Sequence, residues 1–271
     1  MAYLTDEQKY FYAEQGYLIL KNALDPETIA AMRGAVDEIV AGKDDGIRRK
    51  LTLTRQDSTR ATQFHKVFPA SPVIWDFIHT APLSEIASEL MSTTEVRLFY
   101  DQLIYKEPEV GGPIPTHQDY AYWTHVSSTN IVTAWTALST SSPETGCVYV
   151  VPGSHKWGLV ECLTFRILDP DPEYLINNCL SEEQKAQILR VPLALEPGDV
   201  SFHHCLTIHG SYPNTSSNVR VGYIQHYLPG EARYLEARDI QKHHEIDVPD
   251  GEQIRGEQFP LLYRAAELQN A

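Results

Sequence analysis

The chain of 271 residues lacks several features that would place it in a special class of protein. No apolar run approaches the ~18 residues of a membrane-spanning helix. The N-terminus has no basic region followed by an apolar one, as a secretory signal would. Basic residues are scarce, because 22 Lys and Arg stand against 36 Asp and Glu, a net charge of −14. A surface this acidic argues against nonspecific binding to nucleic acid or to anionic membranes.

Cysteine is also rare in this sequence. The four cysteines (Cys147, Cys162, Cys179 and Cys205) include no C-x-x-C pair and are too few for a disulfide scaffold. We therefore expect reduced, mostly buried thiols and a cytoplasmic location. The expected partner is a small-molecule substrate, with no nucleic acid and no membrane, and the expected state is a monomer or a homodimer.

The organisation of the chain is that of a single unit, because no repeat, low-complexity tract or Pro/Gly-rich linker divides it. The first part is predicted to be mainly helical, with Thr5 and Asp25 as typical N-cap residues. We predict one domain over residues 1–271, made of a helical N-terminal part (1–92), a β core (93–230) and a C-terminal tail (231–271).

Many short strand-like runs follow residue 95, separated by turn signals and without regular intervening helices. This pattern is typical of antiparallel double-sheet folds. We predict a mainly β fold with flanking α, namely a double-stranded β-helix (jelly roll, cupin-like) with N-terminal buttressing helices. The principal predicted strands are Val96–Tyr105, Ile131–Leu138, Cys147–Val151, Val200–Phe202, Leu206–His209 and Val219–Tyr227.

The sharpest chemical pattern is His117-Gln118-Asp119, with His209 far downstream. Residues i and i+2 of an extended segment point to the same side, so His117 and Asp119 can reach one metal ion. His209 from a neighbouring strand would complete two histidines and one carboxylate, the donor set of non-haem Fe(II) oxygenases. The same set suits Zn²⁺ with a bound water, so a zinc hydrolase is an alternative.

A second pattern places an arginine near the third candidate ligand. His209-Gly210-Ser211 is followed by a turn and then by Arg220, and a hairpin centred between Asn214 and Thr215 would set His209 opposite Arg220. Opposed residues of an antiparallel pair project from the same face, and Ser211 would join them. A guanidinium fork and a hydroxyl beside a metal ligand predict a grip on the distal carboxylate of a chelating α-keto acid.

With these motifs the sequence resembles the phytanoyl-CoA dioxygenase (PhyH) family of Fe(II)/2-oxoglutarate oxygenases, over roughly residues 6–235. Departures from the family pattern are small: Thr145 stands where the family often has Asn, and Val221 follows the arginine in place of a second basic residue. The matching segments are Asp101-Gln102-Leu103-Ile104-Tyr105-Lys106-Glu107-Pro108, the H-Q-D tripeptide, Ala134-Trp135-Thr136-Ala137-Leu138, Glu144-Thr145-Gly146-Cys147-Val148, Val151-Pro152-Gly153-Ser154-His155 and the eleven-residue step from His209 to Arg220.

The resemblance implies that His117, Asp119 and His209 are catalytic residues that bind iron. It implies Fe(II), 2-oxoglutarate and O2 as cofactor and cosubstrates, with ascorbate as an activator in vitro. Asp119 is informative because related halogenases have a small residue in its place, so its presence implies an oxygenating enzyme. Six residues are implied to bind or border the cosubstrate: Arg220, Ser211, Gln118, Trp135, Gln102 and Lys106.

Two groups of residues are candidates for contact with the substrate. The aromatic residues Tyr120, Tyr122 and Trp123 either line the substrate pocket or belong to the core. Residues 48–66 hold six basic residues against one acidic residue, where the family often has a loop over the active-site mouth. Such a lid would favour an anionic substrate, with Arg60 and then Arg55 as candidates, whereas a solvated loop would bind nothing.

The predicted function is an Fe(II)- and 2-oxoglutarate-dependent dioxygenase, an oxidoreductase that hydroxylates an unactivated C–H bond and releases succinate and CO2. Its substrate is expected to be a small organic molecule: a carboxylate, amino acid, phosphonate, acyl-CoA or natural-product intermediate. Desaturation, cyclisation and endoperoxidation are open to the same centre. A zinc hydrolase and a catalytically silent jelly-roll binding protein are the alternatives from other functional classes.

Overall fold

The structure is a computed structural model that describes residues 2–42, 61–160, 171–239 and 246–265, and the backbone of residues 49–54 and 60. The N-terminal elements are α1 (Asp6–Gln15), β1 (Tyr17–Leu20), α2 (Pro26–Val40), β2 (Arg49–Thr54), β3 (Arg60–His65), α3 (Pro72–Thr80) and α4 (Leu83–Met91). They are followed by β4 (Glu95–Lys106), β5 (Ile114–His117), β6 (Val132–Ala137), β7 (Val148–Val150), α5 (Tyr174–Cys179), α6 (Glu182–Lys185), β8 (Val191–Pro192), β9 (Val200–His204), β10 (His209–Ser211), β11 (Arg220–Pro229) and β12 (Leu261–Arg264).

The first two helices begin where the sequence predicts. The Thr5 hydroxyl accepts a hydrogen bond from the Gln8 backbone N–H at 3.2 Å and caps α1. The Asp25 carboxylate accepts one from the Thr28 N–H at 2.8 Å and caps α2. Each cap satisfies a backbone donor that the first helical turn leaves without a partner. The predicted caps are confirmed.

Two antiparallel sheets form the β core. The described strands of the major sheet run in the order β1-β9-β6-β11-β4-β3-β2, with β12 also paired to β4, and the minor sheet has the order β5-β10-β7-β8. Trp135, Val148, Val150 and Ile224 belong to one buried cluster formed by residues of both sheets. This is the predicted jelly roll, and the fold class is confirmed.

The helices cover the outer face of the major sheet. Ile29, Met32, Val36 and Ile39 recur on one face of α2 and are buried, and they share a cluster with apolar residues of α3, α4 and the sheet. Burial of each such side chain stabilises the fold by about 1.5–3 kcal/mol. The predicted buttressing role of the helices is therefore observed.

An aspartate fixes the end of the sheet where β1 meets β9. The buried Asp199 carboxylate accepts hydrogen bonds from the Asn22 and Glu196 backbone N–H groups at 2.9 and 2.8 Å, and from Lys21 Nζ at 2.8 Å. Burial acts to raise the pKa of Asp199, but these donors outweigh it, with Lys21 the largest of them, and the pKa is lowered. The ionised carboxylate therefore stabilises the folded state.

The predicted hairpin that joins His209 to Arg220 is wrong. β10 pairs with β5 and β7 in the minor sheet, whereas β11 pairs with β4 and β6 in the major sheet. The connection between them crosses from one sheet to the other. Asn214 holds it there, since its side-chain amide donates to the backbone carbonyls of Lys106, Glu107 and Asn218. In the sheet register Arg220 lies opposite Lys106.

The basic segment 48–66 contains strands where a loop was expected. β2 pairs with β3, and β3 continues the major sheet by pairing with β4. The major sheet thus extends beyond the predicted core on both sides, because β1, β2 and β3 precede residue 93 and β12 follows residue 230. The alternation of Leu and Thr in RKLTLT is a strand signal that the expected loop did not take into account, whereas RATQFH contains too few apolar residues to stand out as a strand.

The cysteines agree only in part with the expectation. Cys147 and Cys205 are free and buried, but Cys179 is disulfide-bonded, so the prediction of a fully reduced set is wrong there. Cys162 lies outside the described residues.

None of the helices in the described ranges is both long enough and apolar enough to cross a membrane.

Candidate metal centre and anion pocket

Three buried side chains converge where strands β5 and β10 of the minor sheet pair. His117 is the last residue of β5, Asp119 begins the turn that follows, and His209 is the first residue of β10. The antiparallel register of β5 and β10 places His209 opposite His117. One donor atom from each of the three side chains lies within 4.8 Å of the other two. The structure thus brings together the three residues predicted to bind a metal.

The orientation of both imidazoles suits a metal. His117 Nδ1 lies 2.7 Å from the Pro115 carbonyl and His209 Nδ1 lies 2.9 Å from the Thr207 carbonyl. A carbonyl only accepts, so each Nδ1 carries the hydrogen and each Nε2 has a lone pair. Both Nε2 atoms lie 3.5 Å from Asp119 Oδ1. Two imidazole nitrogens and one carboxylate oxygen are a donor set that fits Fe(II).

The protonation states at this cluster favour metal binding. Burial and the neighbouring His209 lower the pKa of His117, which keeps the ring neutral at physiological pH. Burial acts to raise the pKa of Asp119, but the surrounding imidazoles, His209 first, outweigh it and hold the pKa well below its usual value. Neutral imidazoles and an ionised carboxylate are the forms that bind metals.

Two buried cations lie at the other end of β10, and the group formed by Lys106, Ser211, Arg220 and the Gly146 carbonyl is called the anion pocket here. Lys106 and Arg220 are 0% and 1% exposed. Lys106 Nζ donates to Ser211 Oγ at 2.7 Å and to the Tyr212 carbonyl. Arg220 Nε and Nη2 donate to the Gly146 carbonyl at 3.1 and 2.8 Å. The structure brings together the predicted residues Arg220, Ser211 and Lys106.

The two buried positive charges of this pocket favour binding of an anion. Within the described ranges neither Lys106 nor Arg220 pairs with a carboxylate, and Arg220 Nη1 is buried with no hydrogen-bond partner. Burial and the neighbouring Arg220 lower the pKa of Lys106 well below its usual value, and burial lowers that of Arg220 to about 10. Removing two cations from water costs several kcal/mol per ion. A carboxylate bound between them would offset that cost and satisfy Nη1.

The metal centre and the anion pocket belong to one site. His209 and Ser211 are two residues apart on β10, so their side chains point to the same face about 7 Å apart along the strand. Ser211 Oγ accepts hydrogen bonds from Lys106 Nζ and from the Ile114 N–H, which directs its own proton toward a ligand. A short dicarboxylate can reach from the metal donors to the two cations.

Trp135 forms a wall of the anion pocket. Its indole lies against the Arg220 guanidinium, whose carbon is 5.3 Å from the ring centroid. The ring also packs on Gly222, where a Cβ would lie 2.1 Å from indole Cζ2. The close approach therefore requires glycine at residue 222.

Neither of the two glutamines predicted at the cosubstrate hydrogen-bonds Lys106 or Arg220 in the described ranges, and their role at the cosubstrate stays a prediction. The Gln118 amide donates to the Gly158 and Leu206 carbonyls at 2.9 and 2.7 Å and accepts from the Val160 N–H at 2.8 Å. All of these partners are backbone groups, so Gln118 ties adjacent loops to β5. Gln102 Nε2 contacts His65 Nδ1 at 3.2 Å, and its Oε1 lies 3.4 Å from His226 Nε2, so its side chain contacts the His226 ring and not the cation pair.

The predicted substrate residues divide into different environments. Tyr122 has its ring 6.0 Å from the His117 ring and borders the metal donors. Tyr120 donates its hydroxyl hydrogen to the Val126 carbonyl at 2.8 Å, and Trp123 is buried in an aromatic cluster, so both belong to the core. Arg55 lies outside the described residues, and the structure describes only the backbone of Arg60, where β3 begins.

Two residues contact the second carboxylate oxygen of Asp119, and a third contacts one of these two. Asp119 Oδ2 accepts from Thr133 Oγ1 at 2.8 Å and contacts His203 Nε2 at 3.3 Å. His226 Nδ1 lies 2.9 Å from the same Thr133 hydroxyl. None of these three residues was among the site residues predicted from the sequence. Period-2 spacing from Trp135 along β6 was the only available signal for Thr133.

Comparison of the sequence with known proteins identifies a family and its members. The family model described as Phytanoyl-CoA dioxygenase (PhyH) matches residues 12–222. The mouse (Mus musculus) protein "Phytanoyl-CoA dioxygenase, peroxisomal" is 30% identical over 253 residues, covering 86% of this chain and 71% of that protein.

Two solved structures are similar to this chain over nearly its whole length. The non-haem α-ketoglutarate-dependent carbocyclase SnoK from nogalamycin biosynthesis is 27% identical, with a TM-score of 0.77 over 96% of this chain and 97% of SnoK. The epimerase SnoN, in complex with Fe³⁺, α-ketoglutarate and nogalamycin RO, is 22% identical, with a TM-score of 0.75 over 95% of this chain and 98% of SnoN. The likeness to SnoN concerns the fold alone.

Proposed function

The chain belongs to the phytanoyl-CoA dioxygenase family and is a 2-oxoglutarate-dependent non-haem iron dioxygenase, and from this premise we propose that it hydroxylates an unactivated C–H bond of a small organic molecule. Succinate and CO2 would be the co-products. The observation that carries the proposal is that the three metal donors lie close to the buried cation pair. His209, one of the donors, is two residues from Ser211 on β10, and Ser211 accepts a hydrogen bond from Lys106 Nζ.

The metal donors would hold Fe(II) through His117 Nε2, Asp119 Oδ1 and His209 Nε2. Bound iron supplies the activation of O2, which no side chain of the chain can perform. The carbonyls of Pro115 and Thr207 keep both rings in the required tautomer. The protein's share is to fix these three donors on one side and to leave the other side accessible to cosubstrate and O2.

The anion pocket would hold the distal carboxylate of 2-oxoglutarate. Arg220 offers Nη1, Lys106 offers a second charge, and Ser211 offers a hydroxyl proton. Charge-assisted hydrogen bonds of this kind are stronger than neutral ones. Trp135 covers the guanidinium and keeps water from it. Gln118 and Gln102 stay predicted neighbours of the cosubstrate, away from its distal carboxylate.

The substrate is proposed to lie beside Tyr122. Arg60, the first residue of β3, and Arg55, which follows β2 in the sequence, are candidates for an anionic group. This part of the proposal rests on six basic residues within residues 48–66 and on the pairing of β3 with β4. Ring closure is a second candidate outcome at the same centre, because SnoK, a carbocyclase, is 27% identical to this chain.

Both rival functions leave an observation unexplained. A zinc hydrolase would use the same three donors but has no need of two buried cations beside them. A silent binding protein would have no need of two histidines aligned by carbonyls toward one carboxylate oxygen. The cytoplasmic location stays a prediction, since similar curated proteins include peroxisomal ones.

The proposal is tested by succinate release. The protein, with Fe(II), ascorbate and 2-oxoglutarate, would be screened against carboxylates, amino acids, phosphonates, acyl-CoAs and polycyclic natural-product intermediates, with product masses recorded. We expect one class to accelerate succinate release and to gain one oxygen atom. A product that has lost two hydrogens would indicate ring closure or desaturation. If Zn²⁺ and not Fe(II) supports conversion, with products that have gained the elements of water and with no succinate released, the hydrolase is correct.

A further inference from the structure

The two oxygens of Asp119 have different surroundings. Oδ1 lies 3.5 Å from Nε2 of both His117 and His209, at the centre of the donor set. Oδ2 points away and contacts Thr133 Oγ1 at 2.8 Å and His203 Nε2 at 3.3 Å. Each oxygen therefore has its own set of partners, and the Oδ2 partners come from strands β6 and β9 behind the site.

The hydrogen-bond direction around Thr133 follows from counting protons. Its hydroxyl contacts Asp119 Oδ2 at 2.8 Å and His226 Nδ1 at 2.9 Å, and it has one proton to give. A carboxylate only accepts, so the proton points to Asp119. The hydroxyl oxygen must then accept from His226, which places the imidazole hydrogen on Nδ1. With the hydrogen on His226 Nε2 instead, 3.4 Å from Gln102 Oε1, His226 Nδ1 and Asp119 Oδ2 would both be acceptors for the single Thr133 proton, at 2.9 and 2.8 Å. A hydrogen on His226 Nδ1 therefore requires the Gln102 amide to turn its N–H, and not its oxygen, toward His226 Nε2.

The His226 ring is held firmly enough to impose this order. It is 2% exposed and lies between the rings of Tyr100 and Trp123, with centroids at 4.4 and 4.7 Å. Thr133 is 1% exposed and sits in a strand paired on both sides, with β11 and β9. A buried hydroxyl with one donor and one acceptor has no alternative arrangement open to it.

We propose that Thr133, oriented by His226, is a positioning residue that retains Oδ2 so that Asp119 binds the metal through Oδ1 alone. The inference rests on the proposed metal centre and deepens it. If Oδ2 turned to the metal as well, it would take up a position that the cosubstrate or O2 requires. Groups that hydrogen-bond a metal ligand fix its orientation, and their loss commonly weakens metal binding by about 10- to 100-fold.

The test measures metal affinity. Co(II), which resists air and reports its coordination through visible absorption, would be titrated into the metal-free protein. Thr133→Val has nearly the same shape without the hydroxyl, and we expect its Co(II) Kd to rise about 10- to 100-fold with a changed absorption band. Thr133→Ser keeps the hydroxyl and is expected to regain most of the affinity. Thr133→Ala gives the same test if valine disturbs the packing.

The chain offers a matched control on the same strand. Thr136 is 0% exposed, and its hydroxyl has no hydrogen-bond partner among the described residues. Thr136→Val makes the same chemical change on the opposite face of β6 and is expected to leave the Co(II) Kd and spectrum unchanged. His226→Leu should weaken binding like Thr133→Val, and the double variant should lose no more than either single one, because His226 acts through Thr133.

The outcomes separate this inference from the proposed function. Failure of the wild-type protein to bind Co(II) would contradict the metal centre itself. If the wild type binds, equal affinity and an equal spectrum in folded Thr133→Val would overturn the inference. It would also be overturned if serine lost as much affinity as valine, or if Thr136→Val lost as much as Thr133→Val. Loss in Thr133→Val with rescue in Thr133→Ser would support it.

Discussion

Substitution of Gly222 by alanine tests the anion pocket without touching any of its charges. Gly222 lies on β11, two residues after Arg220, and the Trp135 indole packs directly on it. An added Cβ would lie 2.1 Å from indole Cζ2 and 2.3 Å from Cε2, whereas ordinary contact begins at 3.4 Å. The indole must therefore shift, and it cannot do so without leaving its place over the Arg220 guanidinium.

The expected loss of 2-oxoglutarate affinity in Gly222→Ala is set by the cost of overpacking. Trp135 is 3% exposed and is packed against Val148 and Val150, so the strain cannot relax into solvent. Inserting a methyl group into such a place costs about 1–3 kcal/mol. If most of that cost falls on the pocket, 2-oxoglutarate binding weakens by about 5- to 150-fold. The metal donors on β5 and β10 are not in contact with Gly222, so metal affinity should be retained.

The assay is the 2-oxoglutarate KM from succinate release, together with the Fe(II) Kd and the melting temperature. Gly34→Ala is the control, because Gly34 lies inside α2 with open space around it. It should stabilise the protein by about 0.5–1 kcal/mol and leave the KM unchanged. Gly222→Ala combined with Trp135→Phe should recover part of the loss. A wild-type KM in folded Gly222→Ala would refute the reasoning, and so would equal losses of iron and of 2-oxoglutarate.

Three further predictions follow from the same contacts. Arg220→Ala should raise the 2-oxoglutarate KM by about one to three orders of magnitude with iron affinity kept, and Arg220→Lys should recover only part; an unchanged KM would remove Arg220 from the pocket. Asp199→Asn should lower the free energy of unfolding by about 1–3 kcal/mol at pH 7. Because the pKa of Asp199 is lowered in the folded state, the difference between the two proteins should vanish as pH falls through that pKa. As a control, Asp37→Asn at an exposed position should lower the free energy of unfolding by less than about 0.5 kcal/mol. Replacing Arg55 and Arg60 together by alanine should reduce turnover of an anionic substrate but not substrate-free 2-oxoglutarate decarboxylation; equal effects on both rates would exclude the proposed substrate contact.

The sequence was sufficient for the parts of the site that depend on local geometry. His117 and Asp119 share a side because they are two residues apart, and Ser211 shares a face with His209 for the same reason. Helix caps are local as well, so Thr5 and Asp25 could be predicted from a few neighbouring residues. The jelly roll followed from the many short strands and their turn signals.

Contacts that depend on which strands pair could not be predicted in this way. The arithmetic that set His209 opposite Arg220 assumed that the shortest connection is a hairpin, but residues 212–219 cross between the sheets. Arg220 is instead opposite Lys106, more than a hundred residues away in sequence. Family resemblance, and not spacing, carried Arg220 and Lys106 to the same pocket.

Hydrogen-bond assignments were equally out of reach. Gln118 stands between two metal donors in the sequence, yet its amide is fully engaged by the backbone of distant loops. Thr133 looks like an ordinary strand residue. The pairing of β6 with β11 sets it opposite His226, and the packing of the two sheets brings it to Asp119. Polar groups find their partners in the folded structure, and a single sequence does not list those partners.

The central claim is that one site holds Fe(II) through His117, Asp119 and His209 and 2-oxoglutarate through Arg220. The most direct measurement is an anaerobic titration of the metal-free protein with Fe(II) and then with 2-oxoglutarate, followed by visible absorption. The account predicts one Fe(II) per chain and a weak charge-transfer band that appears only when both are present, and that His117→Ala lacks. Absence of the band in the wild type, or a band of normal intensity in His117→Ala, would contradict it.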